Sequence, residues 1–282
     1  MTAPRLLFLI PYFGRWPFWM PFFLQSCRYN PDVKWIFFTD CGIPAEAPSN
    51  VQFRSISFAE YCAKVSARLG IEFQPRSPYK LCDLKPALGY VHADELEGFD
   101  FWGFSDIDLV YGDLRAYFTI DRLQRFDLLS THERRVSGHL CLLRNTARMR
   151  EAFMQVPGWQ AKLSSVEHNA FDEGAFSRLF IRYKSWPAAL RRSSEFVEAY
   201  STPNGRVAWH DGSPDFPQRW TWLGGQLRND RDGLRQFPYF HFIGWKCDAW
   251  PAYAEQDLLS DDMLAARDGW SITPQGFREV ES

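Results

Sequence analysis

The sequence predicts an α/β fold with a mostly parallel sheet flanked by helices and an irregular lid region in the C-terminal third. Short apolar runs alternate with helix-length segments from Arg5 to Leu69, as consecutive βαβ units require. A later apolar run, Phe99–Tyr111, carries acids where a strand buried on both faces should have none. From Ser201 to Gly233 the chain is rich in Gly, Pro, Trp and charge, which suits a lid better than a core. No repeat, low-complexity tract or linker divides the 282 residues, so they are read as one domain, 1–282.

Arg5–Ile10 and Lys34–Thr39 are read as strands, ending in Pro-Tyr-Phe-Gly and Thr-Asp-Cys-Gly, with a helix opening at Pro17 between them. Val51–Ser57 is a third strand, and Phe58–Leu69 has apolar residues at helical spacing. Tyr79–Ala93 is read as a helix carrying Lys80, Asp83 and Lys85, kinked or restarted at Pro86. Further on come a strand and turn at Phe126–Thr131 and alternating apolar positions over Val136–Asn145 around Ser137-Gly138. Phe171–Tyr183 is read as a helix opening with Asp172-Glu173. Ligands of such sheets bind beyond the carboxyl ends of the strands, which points first to the loops Pro11–Arg15 and Thr39–Gly42.

The 32 basic and 34 acidic side chains leave a net charge of −2, without the basic footprint that duplex nucleic acid demands, so no nucleic-acid partner is expected. The six cysteines form no CxxC pair and read as reduced, mostly buried thiols of a cytoplasmic protein. Leu6–Ile10 follows Arg5 as a signal peptide would, but Pro11 interrupts it and no small-residue cleavage site follows, so export is not expected. No apolar run approaches the ~18 residues of a membrane span. Trp16–Phe23 is read as a core-facing helix; resting at a membrane interface is its other reading, which limits membrane contact to peripheral association at the inner membrane. Aromatic residues make up 17% of the chain; most of these rings are read as core filling, and the alternative for some of them is a cleft for the C–H faces of sugars.

Ser105-Asp106-Ile107-Asp108 closes the apolar run. Residues i and i+2 of a strand share a face, so Asp106 and Asp108 present two carboxylates together while Ile107 turns into the core. Their mutual repulsion is relieved by a divalent cation, and hard oxygen ligands with open positions suit Mg2+ or Mn2+ carrying a diphosphate. Far away in the chain, His241 of Phe-His-Phe-Ile-Gly-Trp-Lys offers a neutral imidazole as a third ligand. Gly244 lets backbone approach a phosphate, and Lys246 supplies positive charge to it.

In this order of features the chain resembles the GT-A glycosyltransferases, closest in plan to the family of glycogenin and the bacterial lipooligosaccharide galactosyltransferases. The stretches PYFGRWP…NPDVKWIFFTD and PYKLCDLKPALG…FDFWGFSDIDLVYGDLR are also similar to a bacterial group of polysaccharide glycosyltransferases. The resemblance implies a GT-A (Rossmann-like) domain with a nucleotide-binding half, 1–131, and an acceptor-binding half, 132–282. It implies that Asp106, Asp108 and His241 bind the metal and that Lys246 touches the donor diphosphate. Tyr12 and Gly14 stand where the first strand loop meets the nucleobase, and Asp40 where the second strand's end meets base or ribose. Lys80, Asp83 and Lys85 lie on the helix that contacts diphosphate or donor sugar. Ser137 and Gly138 match part of an Asn-Ser-Gly motif beside the transferred sugar, with Val136 in place of the asparagine. Asp172 and Glu173 stand at the Asp-Gln-Asp position and are the catalytic candidates. Asp172 would position sugar hydroxyls, while Glu173 is a general base, an electrostatic stabiliser or only a helix N-terminal acid.

The implied activity is metal-dependent transfer of a hexose from a nucleotide diphosphate sugar, a UDP-sugar first, to a saccharide or lipid-linked saccharide acceptor in bacterial surface polysaccharide assembly. On the residues both retention and inversion at the anomeric carbon stay open, and the same resemblance points to retention. The alternatives are a haloacid dehalogenase-type phosphohydrolase, which also uses Asp-x-Asp after a strand, and a carbohydrate-binding protein without turnover. Arg134, Arg135, Arg144, Arg148 and Arg150 read as a solvated face, with an anionic acceptor or membrane as the alternative. Trp220, Trp222, His210 and Asp211 would close over an acceptor or pack a loop, and Asp113 would support the acid pair or begin the next turn.

Overall fold

A computed structural model describes residues 3–181, 193–203, 207–248, 250, 265 and 267–280. Seven strands form the main sheet: β1 (Leu6–Pro11), β2 (Val33–Thr39), β3 (Val51–Ser55), β4 (Phe101–Ser105), β6 (Leu128–Ser130), β7 (Leu140–Arg144) and β8 (Ser194–Phe196), in spatial order β3-β2-β1-β4-β7-β6-β8. Only β7 runs against its neighbours, pairing antiparallel with both β4 and β6. Between β1 and β4 the strand order reverses, and in open α/β sheets that reversal opens a crevice at the carboxyl edge.

Helices cover both faces, so the strands need apolar side chains on both sides. Leu7, Leu9, Ile36 and Phe38 enter one core cluster with Trp102 and Phe104, whereas Leu6, Phe8, Ile10, Trp35 and Phe37 enter another with Phe101. Helix α1 (Met20–Arg28) begins past the expected Pro17, and its apolar face joins the second cluster. Helix α2 (Phe58–Leu69) is bounded as its sequence dictates, by a Ser57–Glu60 capping box and by Gly70 in the left-handed conformation.

Several expectations need correction. Phe99–Tyr111 is not one strand: β4 ends at Ser105, and β5 (Leu109–Tyr111) leaves the main sheet to pair antiparallel with β11 (Tyr239–His241). Ser137 and Gly138 precede β7 rather than lying in it. The expected helix Tyr79–Ala93 is a relay of short 3-10 and α turns from Pro78 to Val91, broken around Pro86. Phe171–Phe176 is a π-helix turn followed by a 3-10 turn, Ser177–Leu179, and residues 182 and 183 of the expected helix lie outside the described residues. The supposed lid contains a hairpin, β9 (Trp220–Leu223) and β10 (Gln226–Asn229). With β12 (Gly269–Thr273) and β13 (Gly276–Glu279) it makes a four-stranded antiparallel sheet. Trp220, Trp222 and Trp270 are among its buried side chains, so the tryptophans read as possible acceptor contacts are core. No helix among the described residues is long and apolar enough to cross a membrane.

Candidate metal centre and donor cleft

A cavity of about 1070 Å3 opens at the strand-order reversal, reaching from Tyr12 at the end of β1 to Asp106 at the end of β4 and on to His132 and Glu198. Asp106 and Asp108 sit in the turn between β4 and β5, so they converge through that turn and not through strand alternation. The turn is held from three sides. The Asp106 amide donates to the His139 carbonyl at 3.0 Å, the Trp19 Nε1–H to the Ile107 carbonyl at 2.9 Å, and the Phe242 amide to the Asp108 carbonyl at 3.2 Å.

Pairing of β5 with β11 places His241 opposite Leu109, the residue after Asp108. Ligand atoms of Asp106, Asp108 and His241 consequently lie within 4.8 Å of one another, with His241 Nε2 3.3 Å from Asp108 Oδ2. That Nε2 is buried and has no hydrogen-bond partner among the described residues. Two carboxylates and an imidazole edge left without a partner fit Mg2+ or Mn2+. Lys85 Nζ bonds the Asp106 carboxylate and, at 2.7 Å, the Gly138 carbonyl, while Lys246 Nζ lies 2.5 Å from Asp108 Oδ2. Burial raises the Asp108 carboxyl, but His241 and Lys246 outweigh it and hold the group well below the usual carboxylate range.

The DUF6625 family, described as a family of unknown function, matches residues 8–278. The chain belongs to it. No curated protein matches this DUF6625 chain. Similar solved structures include the glycosyltransferase GlyE of Streptococcus pneumoniae TIGR4, at 12% identity and TM-score 0.37, over 71% of this chain and 46% of that one. Mouse xyloside xylosyltransferase 1 is similar at 10% identity and TM-score 0.42, over 72% and 87% of the two chains. The galactosyltransferase LgtC, in complex with donor and acceptor sugar analogues, is similar at 9% identity and TM-score 0.35, over 68% and 86%. The DUF6625 chain thus spans less than half the length of GlyE. Likeness this remote carries nothing about chemistry.

Of the other expected residues, Tyr12, Lys85, Gly138, Asp172, Glu173, Gly244 and Lys246 line the cavity of the DUF6625 chain. Tyr12 stacks on Trp16 with ring centres 5.3 Å apart, and its phenol is pushed up to about 12 by burial, then by Cys41 and Asp108. Gly138 faces the π-helix turn so closely that a Cβ there would lie 2.9 Å from Asp172 Oδ2 and 3.0 Å from Glu173 Oε1. Asp172 is buried, and burial pushes its carboxyl up to about 7 against the pull of Lys85. Glu173 Oε2 lies 3.4 Å from Arg135 Nε.

Five expected residues lie off the cavity wall. Asp40 accepts the Gly14 amide at 2.8 Å, and Gly14, with φ of 112°, shapes the first loop from outside. Ser137 is buried, its Oγ 3.2 Å from His139 Nε2. Lys80 and Asp83 do not line the cavity: they form a buried pair at 2.7 Å bonded to the 162–171 loop, with Asp83 Oδ1 3.4 Å from Nε2 of the cavity-lining His168. The arginines read as a face are mostly in pairs, Arg144 and Arg148 both on Asp127 and Arg134 on Glu133. Asp113 caps the helix Leu114–Tyr117, and His210 and Asp211 pair with Asp232 and Arg231.

Sequence reasoning missed His139, Thr202, His132 and Glu198, all on the cavity wall. The rings of His139 and His241 stack with centres 4.2 Å apart, and burial, then His241, holds His139 well below its usual range. His132 is lowered to about 4 by burial and Arg135, beside Glu198 at 3.6 Å. None of these residues stands in a spacing that marks chemistry. His139, two residues from Ser137 in a run already singled out, was the nearest to a signal.

Proposed function

We propose that this chain is a metal-dependent glycosyltransferase of the GT-A plan that moves a hexose from a nucleotide diphosphate sugar, a UDP-sugar in the first instance, to a saccharide or lipid-linked acceptor. The observation that carries the reading is the meeting of Asp106, Asp108 and His241 on one wall of a cavity at the sheet's reversal point, with Lys85 and Lys246 beside them. Bound there, Mn2+ or Mg2+ would neutralise charge on the departing diphosphate.

The chain's own residues then have distinct tasks. Lys85 and Lys246 bring positive charge to the diphosphate oxygens. The stacked pair Tyr12 and Trp16 offers a flat face for the nucleobase. Gly138, lacking a side chain, lets Asp172 and Glu173 approach the transferred sugar. Asp172, with its carboxyl near 7, donates and accepts hydrogen bonds at sugar hydroxyls. As the bond from the anomeric carbon to the diphosphate oxygen breaks, the acceptor oxygen bonds that carbon from the same face and passes its proton to the departing diphosphate oxygen. Retention of configuration, assembly of a bacterial surface polysaccharide and a cytoplasmic site with at most peripheral membrane contact complete the reading.

The test is nucleotide release from UDP- and GDP-sugars with and without manganese, with NMR of the product reporting the anomeric configuration. Manganese-dependent release is expected. Phosphate release from phosphomonoesters would instead support the phosphohydrolase, and sugar binding without turnover the binding protein.

A further inference from the structure

We propose that Thr202 is a positioning residue that sets the tautomer of His241, turning a lone pair rather than an N–H toward the acid pair when a divalent cation binds. The proposal rests on the metal reading above and goes beyond it by naming a residue that holds no metal itself.

Two backbone bonds place His241, and a ring stack lies against its imidazole. The His241 amide donates to the Ser201 carbonyl at 2.8 Å, the following amide donates to the Asp108 carbonyl, and the ring lies against His139 at 4.2 Å. His139 is itself held, with Nε2 2.7 Å from the Tyr239 hydroxyl and 3.2 Å from Ser137 Oγ. The two nitrogens of His241 face different partners: Nδ1 lies 3.2 Å from Thr202 Oγ1, and Nε2 lies 3.3 Å from Asp108 Oδ2. In this orientation, what Nε2 offers is set by which nitrogen carries the proton.

A neutral imidazole has one N–H and one lone pair, whereas a hydroxyl can donate or accept. When Nε2 carries the proton, its N–H lies near the Asp108 carboxylate without a bond to it, and Thr202 donates to Nδ1. A cation needs the opposite arrangement, with the proton on Nδ1 and the Nε2 lone pair free. Rotation of the Thr202 hydroxyl then accepts Nδ1–H, so the same side chain serves both states. Valine at this position fills the same space but cannot accept, which would leave Nδ1–H buried and unsatisfied in the cation-binding tautomer. Serine retains the function. Thr202 follows Ser201, whose carbonyl is fastened to His241, so the backbone pairing that orients the ring also delivers the hydroxyl.

The experiment uses the full chain with 15N-labelled histidine, His241→Gln to assign the resonance, and Mg2+ as a diamagnetic probe, alongside Mn2+ affinity by calorimetry. In the Mg2+ form His241 is expected as the Nδ1–H tautomer. Thr202→Val should weaken Mn2+ binding by about 10–100-fold, while Thr202→Ser stays within about threefold of wild type. An Nε2–H tautomer in the Mg2+ form, or unchanged affinity in Thr202→Val, overturns the proposal while the metal centre stands. A wild-type chain that binds neither ion overturns both. The tautomer is read on wild-type protein, so the outcome does not depend on the valine variant folding.

Discussion

Lys80 and Lys85 stand five positions apart on one relay of helical turns, each bonded to an aspartate, yet the two pairs serve opposite ends. The Lys80 ammonium spends its donors on Asp83 and on the carbonyls of Lys162 and Glu167, both at 2.8 Å. Asp83 in return accepts the amides of Asn169 and Phe171 at 2.7 and 2.8 Å. Both side chains are all but sealed from solvent, at 1% and 0% exposure, so the network is closed and its product is a fixed 162–171 loop. Lys85 holds Asp106 at the edge of the cavity, where the carboxylate is 31% exposed and open to a ligand. Identical residue types become scaffold or site according to whether their partners leave an open valence.

Breaking the closed pair should have the largest effect. Asp83→Ala strands a buried ammonium and two amides, and urea denaturation should show a loss of about 3–5 kcal/mol; a loss well under 1 kcal/mol would erase the contrast. Asp108→Asn should reverse the pattern, with manganese-dependent nucleotide release falling by about 10²–10³-fold while circular dichroism still reports a folded chain.

Asp172 sharpens the comparison through pH. Its folded carboxyl is raised from 3.8 to about 7, chiefly by burial, so the folded state favours the protonated form. The associated stability is present in full below about pH 4 and is lost as pH rises toward 7. Urea midpoints across that window should fall more for wild type than for Asp172→Asn, and parallel curves would contradict the burial. Smallest of all, Arg148→Ala should shift stability by no more than about 0.5 kcal/mol, because the 45%-exposed arginine shares Asp127 with Arg144. A larger cost in a thermal melt would make this surface pair a structural element after all.

Much of this was legible in the linear chain. The runs around Phe8 and Phe37 are apolar at every position because helices cover both faces of their strands, and the acids after Ser105 stood out against such a run. The separate fates of Lys80 and Lys85 were not legible, since short 3-10 turns replace the regular helix that would have fixed their directions. Nor was the four-stranded sheet at the end of the chain, whose strands are short, rich in tryptophan and paired across a wide gap in sequence.

By itself the sequence determined the alternating strands and helices, the position of the acid pair and the residue types available for a cation, because periodicity and chemical identity are local properties. Only the tertiary structure decided which groups meet. The β5–β11 register that seats His241 beside Asp108, the stacking of His139 and the reach of Thr202 all depend on pairing between segments far apart in the chain, and shifting that pairing by one residue would turn the imidazole to the other face.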